Sequence, residues 1–156
     1  MGIFTLDNPV FRIYMIAASL VILKMIGQAY ITVYRMMRVN GGFLNPEDMR
    51  KTISNPKPSA VQLEPNDYVE RARRMHRNDG ENIPLFLAAG VLFVASAPSV
   101  VLASWLMYGY VASRLAHFAA YATAQNHEVR ASFYTMGTLI IVAMVVYSLH
   151  AAFVHA

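Results

Sequence analysis

The sequence predicts an all-α membrane protein, a four-transmembrane-helix bundle of up-down topology, and three observations lead there. Of 156 residues, 56% are hydrophobic and only 14% charged, against about 25% charged in an average soluble domain. The apolar residues gather into four segments separated by polar breaks, and three of these reach the roughly 20 residues that span a bilayer core. Nine of the thirteen Lys and Arg residues lie between Arg35 and Arg77, which places that stretch on the cytoplasmic side. The net charge of +4 therefore belongs to a membrane protein and not to a nucleic-acid binder. With no cysteine, a disulfide scaffold, a thiolate metal site and a cysteine nucleophile are all excluded.

The chain reads as a single domain, residues 1–156, with helices over about 10–38, 67–96, 99–123 and 128–155. Ile13 to Val33 is interrupted only by Ser19, Lys24, Gln28 and Thr32, and its 21 residues rise about 31 Å, one hydrocarbon core. A cleaved signal peptide is the competing reading, but the run is too long and its leader carries Asp7 without a basic n-region. Leu6 occupies the place where a myristoylation signal needs Ser or Thr.

Arg35 to Asp67 is polar and broken by Gly41, Gly42, Pro46, Pro56, Pro58 and Pro65, so it is an extramembrane loop. Within it Asn45-Pro46-Glu47-Asp48 has the form of a helix start. Asp67 and Glu70 have capping-box spacing for the second helix. That helix has a charged half, then 15 apolar residues from Ile83 to Ala97 that span only if the charged half is partly immersed, and Pro84 is expected to kink it. The turn Ser96 to Ser99 is so short that the second and third helices are antiparallel neighbours. Val100 to Ala122 carries Arg114 and His117 inside a span, and Ala131 to Val154 runs 24 residues without a charge. Both termini then lie opposite the cytoplasm.

Charges deep in a membrane helix face protein or a cavity and mark function. Lys24, Gln28, Arg35 and Arg38 form one stripe of the first helix; Glu70, Arg73, Arg74, Arg77, Asn78 and Glu81 form one on the second. Arg114, His117 and Tyr121 share a face of the third, and Arg130 and Tyr134 a face of the fourth. The only acids in or next to the spans are Glu70, Asp79, Glu81 and Glu128. The enclosed pocket is therefore expected to be cationic, short of internal partners, and suited to an anionic ligand with some ammonium character. For the cluster Arg71 to Arg77 alone, snorkelling to lipid headgroups is the plainer reading, but it does not account for Lys24 or Arg114. His76 and Asp79, two groups at i and i+3 without a third, make no metal site and read as structural hydrogen-bonding residues. His150 and His155 read as residues near the far membrane surface.

Glu70-Arg-Ala-Arg-Arg-Met-His-Arg-Asn-Asp-Gly-Glu-Asn-Ile-Pro84, preceded by Asn45-Pro-Glu-Asp48, resembles the signature of the MAPEG proteins, the microsomal glutathione transferases, prostaglandin E synthase and their eicosanoid relatives. The likeness runs from Lys24 through Tyr134. It implies a homotrimer that binds glutathione between neighbouring subunits near the cytosolic face. Arg74, Arg77, Asn78 and Glu81 match positions that hold glutathione in the family; His117, Tyr121, Arg130 and Tyr134 match the opposing wall. Arg114 aligns with a pocket arginine, and Lys24 and Arg38 join the binding set from their stripe. Arg130 aligns with the arginine beside the thiol and Asp48 with an acid given a catalytic part in the prostaglandin branch; these two are the catalytic candidates. Two departures matter: Ala131 stands where the prostaglandin branch has a serine able to donate to the thiol, and Met49 where some transferases carry a cysteine.

The function this implies is a membrane-embedded glutathione-dependent transferase that holds the thiolate and adds it to lipophilic electrophiles, with lipid hydroperoxides as further substrates arriving from the bilayer lipids. Alternatives are a prostaglandin E synthase-like isomerase and a non-catalytic lipid-binding scaffold of the same fold. An ion channel fits less well, since the acids of the second helix fall in the same path as the basic stripes. The expected location is multi-pass, in the endoplasmic reticulum of a eukaryote or the inner membrane of a bacterium.

Overall fold

A computed structural model describes residues 2–154. Among them are four α-helices, α1 (Pro9–Val39), α2 (Asp67–Ala95), α3 (Val100–Ala122) and α4 (His127–Val154), two single 3₁₀ turns, Pro46–Met49 and Ala60–Leu63, and no strand. The expected final residue of the fourth helix, 155, and with it His155, lies outside the described residues. α1 and α4 are long and apolar enough to cross a membrane. α1 packs on α2 and α3, α4 packs on the same two, and α2 meets α3 between them.

The helix starts show which polar residues set them. Asn8 caps α1, accepting from the amide of Val10, with Pro9 at the first position. α2 begins one residue earlier in its logic than the capping-box spacing suggests. Asn66, in extended conformation, accepts from the amide of Tyr68, so Asp67 is already helical, and Glu70 is turned instead to an ion pair with Arg73. The helix start expected at Asn45 is a single 3₁₀ turn, in which Asn45 makes no side-chain cap. α2 continues through Pro84, whose ring sits on an exposed face.

Each helix buries a stripe at three- and four-residue spacing. Val10, Ile13, Ala17 and Val21 of α1, Phe86 and Phe93 of α2, Met107 and Tyr110 of α3 and Ile141 and Met144 of α4 form one apolar core. Phe86 and Tyr110 stack with ring centroids 4.0 Å apart. α4 comes close to α3 at Gly137, where a Cβ would lie 3.0 Å from Oγ of Ser113. Toward the loop end of the bundle the same stripes turn polar, at Lys24 and Gln28 on α1, Asp79 and Asn82 on α2, and Arg114 and His117 on α3.

The loop after α1 is tied down by a buried amide network. Gln62 accepts from Asn55 Nδ2 and from the Ser59 amide, each at 3.0 Å, and donates to Asn40 Oδ1 at 2.8 Å. Gly42 adopts φ +72 against Val69, a left-handed conformation in which a side chain would meet Val69 at 3.1 Å. Arg73 of α2 donates to the Gly42 carbonyl, and Arg35 donates to the Tyr68 carbonyl at 2.8 Å while stacking on the Tyr68 ring.

Candidate functional site

Two polar regions lie side by side at the loop end of the bundle. The first is sealed. Asp79 has no exposed surface, and its Oδ1 accepts from Arg114 Nε at 2.8 Å and from Arg114 Nη2, while Oδ2 accepts from Lys24. One carboxylate thus joins α1, α2 and α3. The expectation that the cations of the spans are short of internal partners is corrected for two of them: Lys24 and Arg114, which the sequence offers as ligand-binding groups, both pair with Asp79. A buried cation requires an acid partner, and here one carboxylate serves two cations. Asp79 lies off the polar stripe of α2, and its register with Ala72, Met75 and Phe86, all buried, marks it as an inward residue.

The second region is open. A cavity of about 270 Å³ is lined by Asn78 of α2, His117 and Tyr121 of α3, and His127, Arg130, Ala131 and Tyr134 of α4. The His117 ring sits 5.0 Å from that of Tyr121 and 6.4 Å from that of Tyr134. Arg130 lies over the Tyr121 ring at 4.8 Å and donates from Nε to the Asn126 carbonyl at 3.2 Å. Among the described residues it has no acid partner. Asn78 Oδ1 is buried without a partner within the chain. His127 was not singled out by the sequence reading, although its spacing of i−3 from Arg130 places it on the same face of α4.

The remaining candidates lie elsewhere. Arg77 and Glu81, both exposed, line a separate groove of about 610 Å³ with Thr32, Leu44, Arg73 and His76. Arg74 is exposed on the α2 face between groove and cavity, and Arg38 is exposed beside the Tyr34 hydroxyl. Asp48 is exposed on its 3₁₀ turn, away from the cavity lining. An apolar groove of about 690 Å³ runs along α4 past Leu139 and Ala143 and shares His127 and Ala131 with the polar cavity.

Fold and site together define a helical-bundle protein with membrane-spanning character and a small basic, aromatic cavity at its loop end. Residues 14–150 match the MAPEG family, and the chain belongs to that family. It is 33% identical to human (Homo sapiens) microsomal glutathione S-transferase 1 over 133 residues, 85% of this chain and 84% of that protein. The pig (Sus scrofa) protein of the same name is 34% identical over 119 residues, 76% of this chain and 75% of its own length. Human prostaglandin E synthase is 29% identical over 134 residues, 86% of this chain and 84% of its own.

Proposed function

We propose that this protein is a membrane-embedded glutathione S-transferase, with lipid hydroperoxide reduction as a second activity, acting as a homotrimer with glutathione between subunits. The observation that carries the reading is the convergence of Asn78, His117, Tyr121, Tyr134 and the acid-free Arg130 on one cavity. Its chemistry suits an anionic peptide: among the described residues Arg130 has no acid partner, so it supplies an unneutralised guanidinium. At about 270 Å³ the cavity falls just short of the usual range for a ligand pocket, roughly 300 Å³ upward. A tripeptide therefore needs a second wall, and the exposed Arg77 and Glu81 on a different face of the chain supply one from a neighbour.

A thiol with a reference pKa of about 8.5 is mostly protonated at neutral pH, and lowering it by about 2 units stabilises the thiolate by about 2.7 kcal/mol. Arg130 provides that charge. The thiolate attacks the ring carbon of a halo-nitroarene and the halide leaves with its electron pair; with a hydroperoxide it takes the terminal oxygen, the alkoxide is protonated, and a second glutathione converts the sulfenic acid to disulfide and water. Lipophilic partners enter along the apolar groove that meets the cavity at His127 and Ala131. The membership in a family that includes proteins named microsomal glutathione S-transferase supports this reading over the scaffold alternative. Ala131, without a hydroxyl beside Arg130, favours transferase over isomerase.

The test is conjugation of a chloronitroarene by purified protein. Arg130→Ala is expected to lower kcat/KM by about a hundredfold or more, as loss of a positioned charge does; unchanged turnover removes Arg130 from the mechanism. Co-expression of Arg77→Ala with Arg130→Ala subunits tests the shared site. Random mixing leaves intact both halves of about a quarter of intersubunit sites, so activity returns to about a quarter of wild type, whereas a site within one chain gives none.

A further inference from the structure

The proposed chemistry leaves unused a fully buried guanidinium, and it gives the histidine that this group touches no part beyond lining the cavity. The Asp79 carboxylate fixes Arg114 through Nε and Nη2, and Lys24 on the other oxygen anchors the carboxylate from α1. Held in this way, Arg114 places Nη2 3.2 Å from Nδ1 of His117. A guanidinium has donors only, so Nδ1 is the acceptor of this contact, and a neutral imidazole with a bare Nδ1 carries its hydrogen on Nε2. Moving the proton to Nδ1 would set donor against donor next to a cation. His117 is only 2% exposed, and it lines the cavity with Asn78, Tyr121, Arg130 and Tyr134. Among the described residues, Nε2 has no hydrogen-bond partner within the chain, and it is absent from the sealed atoms that include Arg114 Nη1 and Asn78 Oδ1.

We infer that Asp79 and Arg114 are positioning residues that lock His117 in its Nε2–H tautomer, making it a fixed hydrogen-bond donor to an anionic group of the ligand in the cavity. The ligand's identity rests on the function proposed above; the lock itself does not. Arg114 then serves the site through His117 instead of touching glutathione, the role the family resemblance implies for it. Arg130 supplies charge, and His117 supplies a single neutral donor of fixed direction.

The lock is read directly from the imidazole nitrogen spectrum of full-length protein carrying ¹⁵N-histidine, at neutral pH, with the His117 signals assigned by their loss in His117→Gln. The expected spectrum has Nε2 protonated and Nδ1 bare. Signals averaged between tautomers, or a proton on Nδ1, overturn the inference. Function is read by titrating glutathione. His117→Gln places an amide N–H near the position of Nε2 and is expected to stay within about threefold of wild-type affinity; His117→Asn places it near Nδ1 and is expected to bind at least about tenfold more weakly. Equal losses in the two variants overturn the donor role.

Asp79→Asn, which keeps shape but loses charge, separates positioning from support. It is expected to weaken binding severalfold when His117 is present and to add nothing in a His117→Gln background, since an amide has no tautomer to lock. The same loss in both backgrounds means Asp79 is structural and overturns its positioning role. If Asp79→Asn does not fold, the histidine spectrum of the wild type decides the matter. A wild-type protein that shows the locked tautomer yet binds no glutathione overturns the proposed function and leaves the lock standing.

Discussion

Removing the Asp79 carboxylate takes away the only anion among three buried charges. The side chains of Asp79 and Arg114 have no exposure and that of Lys24 has 8%. With Asp79 present the group carries one net positive charge; Asp79→Ala leaves two, with no counter-charge. Breaking a buried pair in this way costs about 3–5 kcal/mol. For a chain of this size each kcal/mol lowers the melting temperature by about 2–4 °C, so the expected fall is about 6–20 °C. Lys24→Met is gentler: Asp79 and Arg114 remain as a one-to-one pair through Oδ1, and only Oδ2 loses its partner, a cost of about 1–3 kcal/mol. Replacing all three, as Lys24→Met with Asp79→Leu and Arg114→Met, restores most of the stability. It also abolishes the contact to His117, so stability and glutathione affinity part company. The assay is thermal unfolding by circular dichroism in detergent at one protein concentration. An Asp79→Ala variant within about 3 °C of wild type, or a Lys24→Met variant that is the more damaged, would refute the electrostatic argument.

Two further outcomes follow from packing and from the loop. A Cβ on Gly90 would collide with Cε2 of Tyr14, whose hydroxyl is held on the Leu87 carbonyl at 2.9 Å, so Gly90→Ala lowers stability by about 1–3 kcal/mol. Gly27→Ala, with nothing within 4 Å of the new atom, raises it by about 0.5–1 kcal/mol; thermal scans of the two variants should move in opposite directions. Gln62→Leu strips partners from Asn40, Asn55 and the Ser59 amide, and amide exchange across residues 40–66 should quicken by at least about tenfold while the helices stay protected.

The helices were legible because long apolar runs alternate with proline- and glycine-rich breaks, and both signals act locally. Caps were less so: Asn66 and Asp67 are adjacent residues of similar capping power, and only the extended backbone of Asn66 decides between them. The cavity residues His117, Tyr121, Arg130 and Tyr134 were legible as stripes, because a stripe is a property of one helix. The sealed cluster was not, because its bonds join residues 55 and 35 positions apart, Lys24 and Arg114 to Asp79. A basic residue inside a span shows no partner in one dimension and reads as waiting for a ligand. Asp79 lies about 140° around α2 from Arg74, on the face shared with Ala72 and Phe86, and that apolar register was the signal that it points inward.

The division of charge explains why one helix can serve two purposes. On α2, Asp79 faces the bundle and pairs with both cations that α1 and α3 send inward, while Arg74, Arg77 and Glu81 face out, and Asn78 reaches the cavity. Charges inside a membrane protein are costly unless paired or hydrated, so the inward cations share the one acid within reach, and the outward set lies exposed. The groove with Arg77 and Glu81 and the cavity with Arg130 are different surfaces of one chain. When two different surfaces each hold half of a site, the contact that completes it is head-to-tail, and head-to-tail contacts close into rings when the rotation allows. The proposed trimer is such a ring, in which every subunit gives one half-site and receives the other.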